Sequence, residues 1–267
     1  VLDRVASDWT RAEAAILNDP STTALFMPEG RTPGAGARHR QPALAATLER
    51  IASQGRDGFY TGAIAEDIVE HLNRRGGLHA LSDFAAAKGE YVAPIKTNFR
   101  GLDIYECPPN GQGIIALLLL NVLAGFKIET RDPLSLERLH LAIEATRLAY
   151  ADRDAFLADP AHADVPVAAL LSPAHADALR ARIRKDRRLE PLSPIPLPAH
   201  TDTVYITVVD KDRNAASFIN SLFSSFGTGL MAPRSGVLLH NRGASFVVER
   251  GHPNCIAPGK RPLHTII

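Results

Sequence analysis

The sequence predicts an α+β fold, and three observations carry that expectation. Helical periodicity dominates the chain to about Lys185. A pair of strand-like runs between Glu90 and Cys107 interrupts it. From Thr203 onward the period changes from helical to two, in runs rich in Val, Ile, Thr and Tyr. Helices, a hairpin, helices and then strands suit an α+β fold or a layered sheet sandwich with covering helices.

Taken in order, Val1 to Asn18 reads as a helix with Val5, Trp9, Ala12 and Ile16 on one face. Residues 19–41 hold many Gly, Pro and charged residues and read as a long loop. Pro42 suits the first helical position of a segment running to about Ser53. Tyr60-Thr61-Gly62 leads into a further helix with Ile64, Ile68 and Leu72 in register, ended by Gly76-Gly77. A short helix from Leu81, capped by Ser82, precedes the runs 90–97 and 102–107, joined as a hairpin around Asn98 to Gly101.

Pro108 to Gly113 reads on its residues as a sharp strand-to-helix connection. It lacks the Lys and Ser/Thr of a phosphate loop, which argues against a nucleotide there. The apolar run Ile114 to Phe126 is interrupted by Asn121 and is shorter than the roughly 20 residues of a membrane span. A buried helix is the reading. Asp132-Pro133 is a helix start, and Leu136, Leu139, Ile143, Thr146 and Tyr150 mark one face of the helix that follows, with His140 at its boundary. Ser172-Pro173 opens the last helix, ending near Lys185.

A chain of 267 residues accommodates one large domain or two small ones. Its formal net charge of +1 offers no electrostatic case for nucleic acid as a partner. The basic run Arg180 to Arg188 reads as a solvated helix end. Cys107 and Cys255 lack ligand-like spacing, as do His162 and His175, so neither a metal nor another cofactor is expected. Cys107 is expected to behave as a buried apolar residue.

The basic, Pro-rich stretch from Arg187 to His200 empties into the strand that Thr203 opens. A Thr near a strand start is ordinarily structural. Its hydroxyl becomes a useful nucleophile only beside a base, and chain cleavage that frees its own α-amine is one way to supply it. Asp210 to Asn214 suits a hairpin turn, a second strand runs from Ala215 to Ser221, and Phe226-Gly227-Thr228-Gly229 follows with glycines that permit unusual backbone conformations.

Thr203-Val204-Tyr205, Val208-Val209-Asp210-Lys211-Asp212, Phe226-Gly227-Thr228-Gly229 and Gly259-Lys260-Arg261-Pro262 resemble the γ-glutamyltranspeptidase family of N-terminal-nucleophile hydrolases. The similarity continues through Phe59-Tyr60-Thr61-Gly62, Pro108-Pro109-Asn110-Gly111-Gln112-Gly113 and Ala149-Tyr150-Ala151-Asp152-Arg153, and so spans most of the chain. It implies a four-layer αββα fold, incomplete in this chain. It also implies self-cleavage at Asp202–Thr203, giving a large-subunit part (residues 1–202) and the start of a small subunit (203–267) within one intertwined domain. Thr203 would then form an acyl ester, released by water or an acceptor amine, and Ser221 would supply a second hydroxyl beside it. Thr201 and Thr207 are rivals that the register to Asp210 disfavours.

At family positions that read a γ-glutamyl group, this chain carries Phe223 for an Asn, Arg242 for a Gln, Ser245 for an acid and His264-Thr265 for paired serines. Losing the acid removes the counter-ion for a substrate ammonium, and Arg242 offers a fork for a carboxylate. Asn241 to Phe246 and Gly251 to Asn254 resemble the cephalosporin-acylase-like branch. The expected substrate is therefore a small amide, glutathione-like or glutaryl-linked, handled by a homodimer in the cytoplasm or periplasm. The resemblance also assigns a carboxylate-binding arginine to a region before Val1 and an oxyanion glycine pair to one after Ile267. A catalytically silent, self-associating fragment is the alternative.

Overall fold

The computed structural model describes residues 1–128, 132–192 and 202–267. In chain order the elements are α1 (Asp3–Arg11), α2 (Glu13–Ile16), α3 (Pro20–Phe26), α4 (Pro42–Gln54), α5 (Asp57–Tyr60), α6 (Ala63–Asn73) and α7 (Leu81–Ala86). Next come β1 (Ile95–Phe99), β2 (Leu102–Glu106), α8 (Gly113–Ala124), α9 (Leu136–Phe156), α10 (Val167–Leu170) and α11 (Pro173–Arg182). The last are β3 (Asp202–Val209), β4 (Ala215–Phe223), β5 (Met231–Ala232), β6 (Val237–Leu238) and a 3-10 turn at Arg242–Ser245. The protein is thus mixed helix and sheet, its strands paired as β1–β2, β3–β4 and β5–β6.

Two compact units can be distinguished. The first holds Val1–Glu90, residues 202–205 and Asn220–Asn241. Its core joins Trp9, Ile16, Phe26, Phe226 and Met231, with Phe26 edge-on to Trp9 and to Phe226 at centroid distances of 5.2 and 4.9 Å. A neighbouring cluster packs Ile64 and Ile68 of α6 against Ala232 of β5. The second unit holds the described residues of 91–192, Ile206–Ile219 and Arg242–Ile267. There Ile114, Ile115, Leu118 and Val122 of α8 pack with Leu141, Ala145 and Leu148 of α9 and with Leu179 of α11.

The polar break in α8 has a structural reason. Asn121 accepts from Thr97 Oγ1 of β1 and donates from Nδ2 to Leu171 O at 3.2 Å, so one side chain ties α8 to a strand and a turn. Arg180 donates to the carbonyls of Asn121 (2.9 Å) and Val122 (3.0 Å), satisfying the C-terminal end of α8. It lies against Gly125, where a Cβ would meet the guanidinium at 2.0 Å. Arg180 is therefore a helix cap, in contrast to the solvated helix end expected of the run it begins.

Several sequence expectations need correction. Residues 19–41 contain α3, started by Asp19, whose carboxylate accepts the Thr22 N–H at 3.1 Å, with Pro20 at the first helical position. The same Asp-Pro signal at Asp132 makes only a turn (Leu134 N–H to Asp132 Oδ1, 2.9 Å), and α9 starts three residues later behind Ser135. Ser82 lies inside α7; the free N–H of Ala80 is met instead by Asp83 at 2.8 Å. Cys107 is exposed. The face of α9 marked by Leu136, Leu139, Ile143 and Tyr150 is exposed, and the buried face is Leu141, Glu144, Ala145, Leu148 and Ala149. Small alanines let α8 approach closely on that side, which a count of large apolar residues does not register.

Candidate active site

Asp210 fixes the register of the hairpin that carries Thr203. Its carboxylate accepts the N–H groups of Asp212 (2.9 Å) and Asn214 (2.8 Å) and the Asn214 side chain (2.9 Å). These hydrogen bonds, the Asn214 side chain's first, hold the carboxyl below its ordinary range. Arg213 takes the left-handed conformation that closes the turn, and Asp210 N–H donates to Asn214 O at 3.0 Å. From that pair, seven residues along each strand place Thr203 opposite Ser221. The side chains meet there, with Thr203 Oγ1 donating to Ser221 Oγ at 3.3 Å. Thr203 is exposed and Ser221 half-buried.

Ser221 Oγ also accepts the Phe223 N–H at 2.9 Å. Phe223 ends β4 in a left-handed conformation (φ 81°), and its ring is fully enclosed. Asn241 holds the backbone on both sides of it: Asn241 N–H donates to Leu222 O (3.1 Å), and its side chain exchanges bonds with the N–H and Oγ of Ser224, both at 3.0 Å. Beyond it, Gly227 (φ 54°) and Gly229 (φ 73°) occupy places where a Cβ would sit 2.2 Å from the carbonyl oxygens of Leu239 and Ala15. Thr22 donates to Gly229 O at 2.7 Å, so α3 pins the loop after the hairpin.

Thr207 also lies on β3 and is exposed, and by the same register it faces Ser217. Thr201 lies outside the described residues. Asp202 contributes its backbone to β3.

The other expected site residues gather in the second unit. Arg242 is buried, and its Nη1 donates to Thr265 Oγ1 at 2.9 Å; burial pulls its guanidinium below the usual range. Thr265 O accepts from Gln112 Nε2 at 2.6 Å, and Gln112 Oε1 accepts from Arg153 at 3.3 Å. His264 bonds through its backbone, donating to Asn110 O (2.9 Å) and accepting the Gln112 N–H (3.0 Å). Ser245 is fully enclosed, its one hydroxyl proton shared between Arg242 O (2.8 Å) and Leu263 O (2.6 Å).

Gln112, Asn110, Asn254 and Asn241 were not expected as site-building residues. Asn254 bridges Ser245 O at 2.7 Å and the Leu263 N–H at 3.2 Å. The loop Pro108 to Gly113 read as a mere connector, yet it forms a parallel bridge between Gly111 and His264. Two amides within six residues, Asn110 and Gln112, were the available signal. Among the described residues, no group of three or more His, Cys, Asp or Glu converges as metal ligands would.

A family model described as Gamma-glutamyltranspeptidase matches residues 1–267. The chain belongs to the gamma-glutamyltranspeptidase family. Among its relatives is the glutathione hydrolase-like YwrD proenzyme of Bacillus subtilis, 38% identical across 94% of this chain and 47% of that protein. The oxamate amidohydrolase proenzyme of Klebsiella pneumoniae is 34% identical across 93% of this chain and 46% of its own length. The crystal structure of cephalosporin acylase from Bacillus halodurans superposes with a TM-score of 0.89 at 34% identity, covering all of this chain and 49% of that one. The chain therefore spans about half the length of the family members it matches.

Proposed function

We propose that this chain carries the nucleophile of an autoprocessing amidohydrolase or acyltransferase of the gamma-glutamyltranspeptidase family. The observation that supports it most is the Thr203–Ser221 hydroxyl pair, 3.3 Å apart at the start of β3. Self-cleavage of the Asp202–Thr203 bond, in which water supplies the hydroxyl to the Asp202 carbonyl and the proton to the Thr203 nitrogen, divides the chain into residues 1–202 and 203–267 and frees the Thr203 amine. That amine takes the proton of Thr203 Oγ1 as the oxygen attacks the substrate's acyl carbonyl. The amide C–N bond breaks, the leaving amine is protonated, and an acyl ester remains on Thr203. Water or an acceptor amine attacks the ester and restores the hydroxyl.

The four-layer αββα arrangement belongs to this reading. Val204, Tyr205, Ile206, Val208, Val209 and Phe218 are all exposed, so the β3–β4 hairpin is apolar on both faces, as suits a strand pair inside a layered sheet. A homodimer in the cytoplasm or periplasm is the assembly proposed, and the uncovered stripe Leu136, Leu139 and Ile143 of α9 supports self-association. No described helix is long and apolar enough to cross a membrane.

For the acyl group, the reading is a dicarboxylic chain such as glutaryl, with Arg242 meeting its distal carboxylate. The relatives' names, spanning glutathione, oxamate and cephalosporin, support a pocket that varies while amide hydrolysis is kept. Position 223 offers an enclosed ring, and Ser245 has its hydroxyl committed to two carbonyls, so neither supplies a counter-ion for an α-ammonium. Rates on glutaryl and γ-glutamyl anilides, measured with the full-length protein, test this. Glutaryl is expected to be preferred, with Arg242→Ala raising its KM by about tenfold or more. A strong γ-glutamyl preference would contradict it.

A further inference from the structure

We propose that Asn241 is a positioning residue that, through Phe223, holds the Ser221 hydroxyl against Thr203; the inference rests on the proposed role of Thr203. Four observations lead to it. A bulky residue with φ of 81° is unfavourable on its own and persists only where its surroundings over-determine it. Phe223 is so held, with Asn241 bonding the backbone of Leu222 and both the backbone and the hydroxyl of Ser224. The enclosed ring anchors the same residue from its side chain. In consequence the Phe223 N–H points back along β4 to Ser221 Oγ at 2.9 Å, the same oxygen that accepts from Thr203 at 3.3 Å.

The chemistry follows from the lone pairs of one oxygen. A hydroxyl has two acceptor positions and one donor. With one acceptor position taken by the Phe223 N–H, the rotation of Ser221 is restricted and its other acceptor position faces Thr203. Without that bond Ser221 turns through its rotamers, and its oxygen spends less time aligned with the nucleophile. Asn241 touches neither Thr203 nor a substrate in this account. It acts two links away, by fixing the conformation of the residue between Leu222 and Ser224.

The test combines cleavage kinetics with an independent readout. Appearance of the two fragments from the Asp202–Thr203 bond is followed by intact mass in the unaltered chain, Asn241→Ala, Ser221→Ala and the double variant. Asn241→Ala is expected to slow cleavage about tenfold or more, and to add nothing in the Ser221→Ala background. Asn241→Asp, which keeps the acceptor for the Ser224 N–H, is expected to recover part of the rate. Ser224→Ala provides a milder second variant should Asn241→Ala fold poorly. Hydrogen exchange at the Phe223 amide, read in the uncleavable Thr203→Ala chain, should speed up in both Asn241→Ala and Ser221→Ala. Additive slowing in the double variant, or unchanged Phe223 protection in Asn241→Ala, overturns the inference. An uncut parent chain instead sinks the role of Thr203, and the exchange measurement still decides whether Asn241 governs the Phe223 amide.

Discussion

Asp159 shows how a single carboxylate holds a family motif in place. It is almost fully buried at the end of the α9 region and accepts the Arg261 N–H (2.9 Å), Arg261 Nη2 (2.9 Å) and the Ala161 N–H (3.2 Å). Burial alone would raise its pKa, but the bonds from Arg261 and Ala161 outweigh it and hold the carboxyl far below the ordinary range. A depressed carboxyl contributes stability that is present above its unfolded pKa and lost as pH falls toward the folded value. At neutral pH, Asp159→Asn removes the charge from all of these bonds at once and is expected to cost about 2 kcal/mol, read as a lower denaturation midpoint. A midpoint within error of the parent would show that the Gly259 to Pro262 segment is held by other contacts. Arg261 was legible in the sequence as part of a motif; Asp159 was not, because its partner lies 102 residues away.

Among the elements, α3, α6 and the segment entering β5 meet around a buried acid and a buried base. Asp19 accepts from Thr22 and more distantly from Met231 N–H at 3.4 Å, and its other oxygen faces His71 Nε2 at 3.4 Å and Arg75. Burial is the largest influence on His71 and lowers its pKa; Arg75 and Arg74 act in the same sense, while Asp19 and Asp67 oppose. Burial lowers His39 as well, where it stacks on Phe26 at 5.1 Å. A buried neutral imidazole charges more readily in the unfolded chain. Its stabilising contribution is therefore complete above about pH 6.5, the unfolded value, and falls as pH drops toward the lowered folded value. Thermal midpoints between pH 7.5 and about 5 should decline, and less steeply in His71→Gln. An equal decline in that variant would remove His71 from the account. The sequence showed α6 through Ile64, Ile68 and Leu72, and it showed α4 through Pro42. It concealed α3 because a seven-residue helix carries too little periodicity to stand out among prolines and glycines.

For the whole molecule, the hairpin was the most legible feature and the polar network around Arg242 the least. Alternation and the Asp210 turn are local signals, so β3, β4 and the facing of Thr203 by Ser221 could be expected from spacing together with family resemblance. The links from Arg242 to Thr265, Gln112 and Arg153 join three distant stretches, and no local pattern announces them. The central claim is that Thr203 is a nucleophile uncovered by cleavage of its own chain. Intact mass under denaturing conditions tests it most directly, on the purified protein beside Thr203→Ala. Two fragments meeting at Asp202–Thr203, absent from the variant, are the predicted result. A single uncut mass, or the same cleavage in Thr203→Ala, would contradict the account and leave the chain a self-associating scaffold.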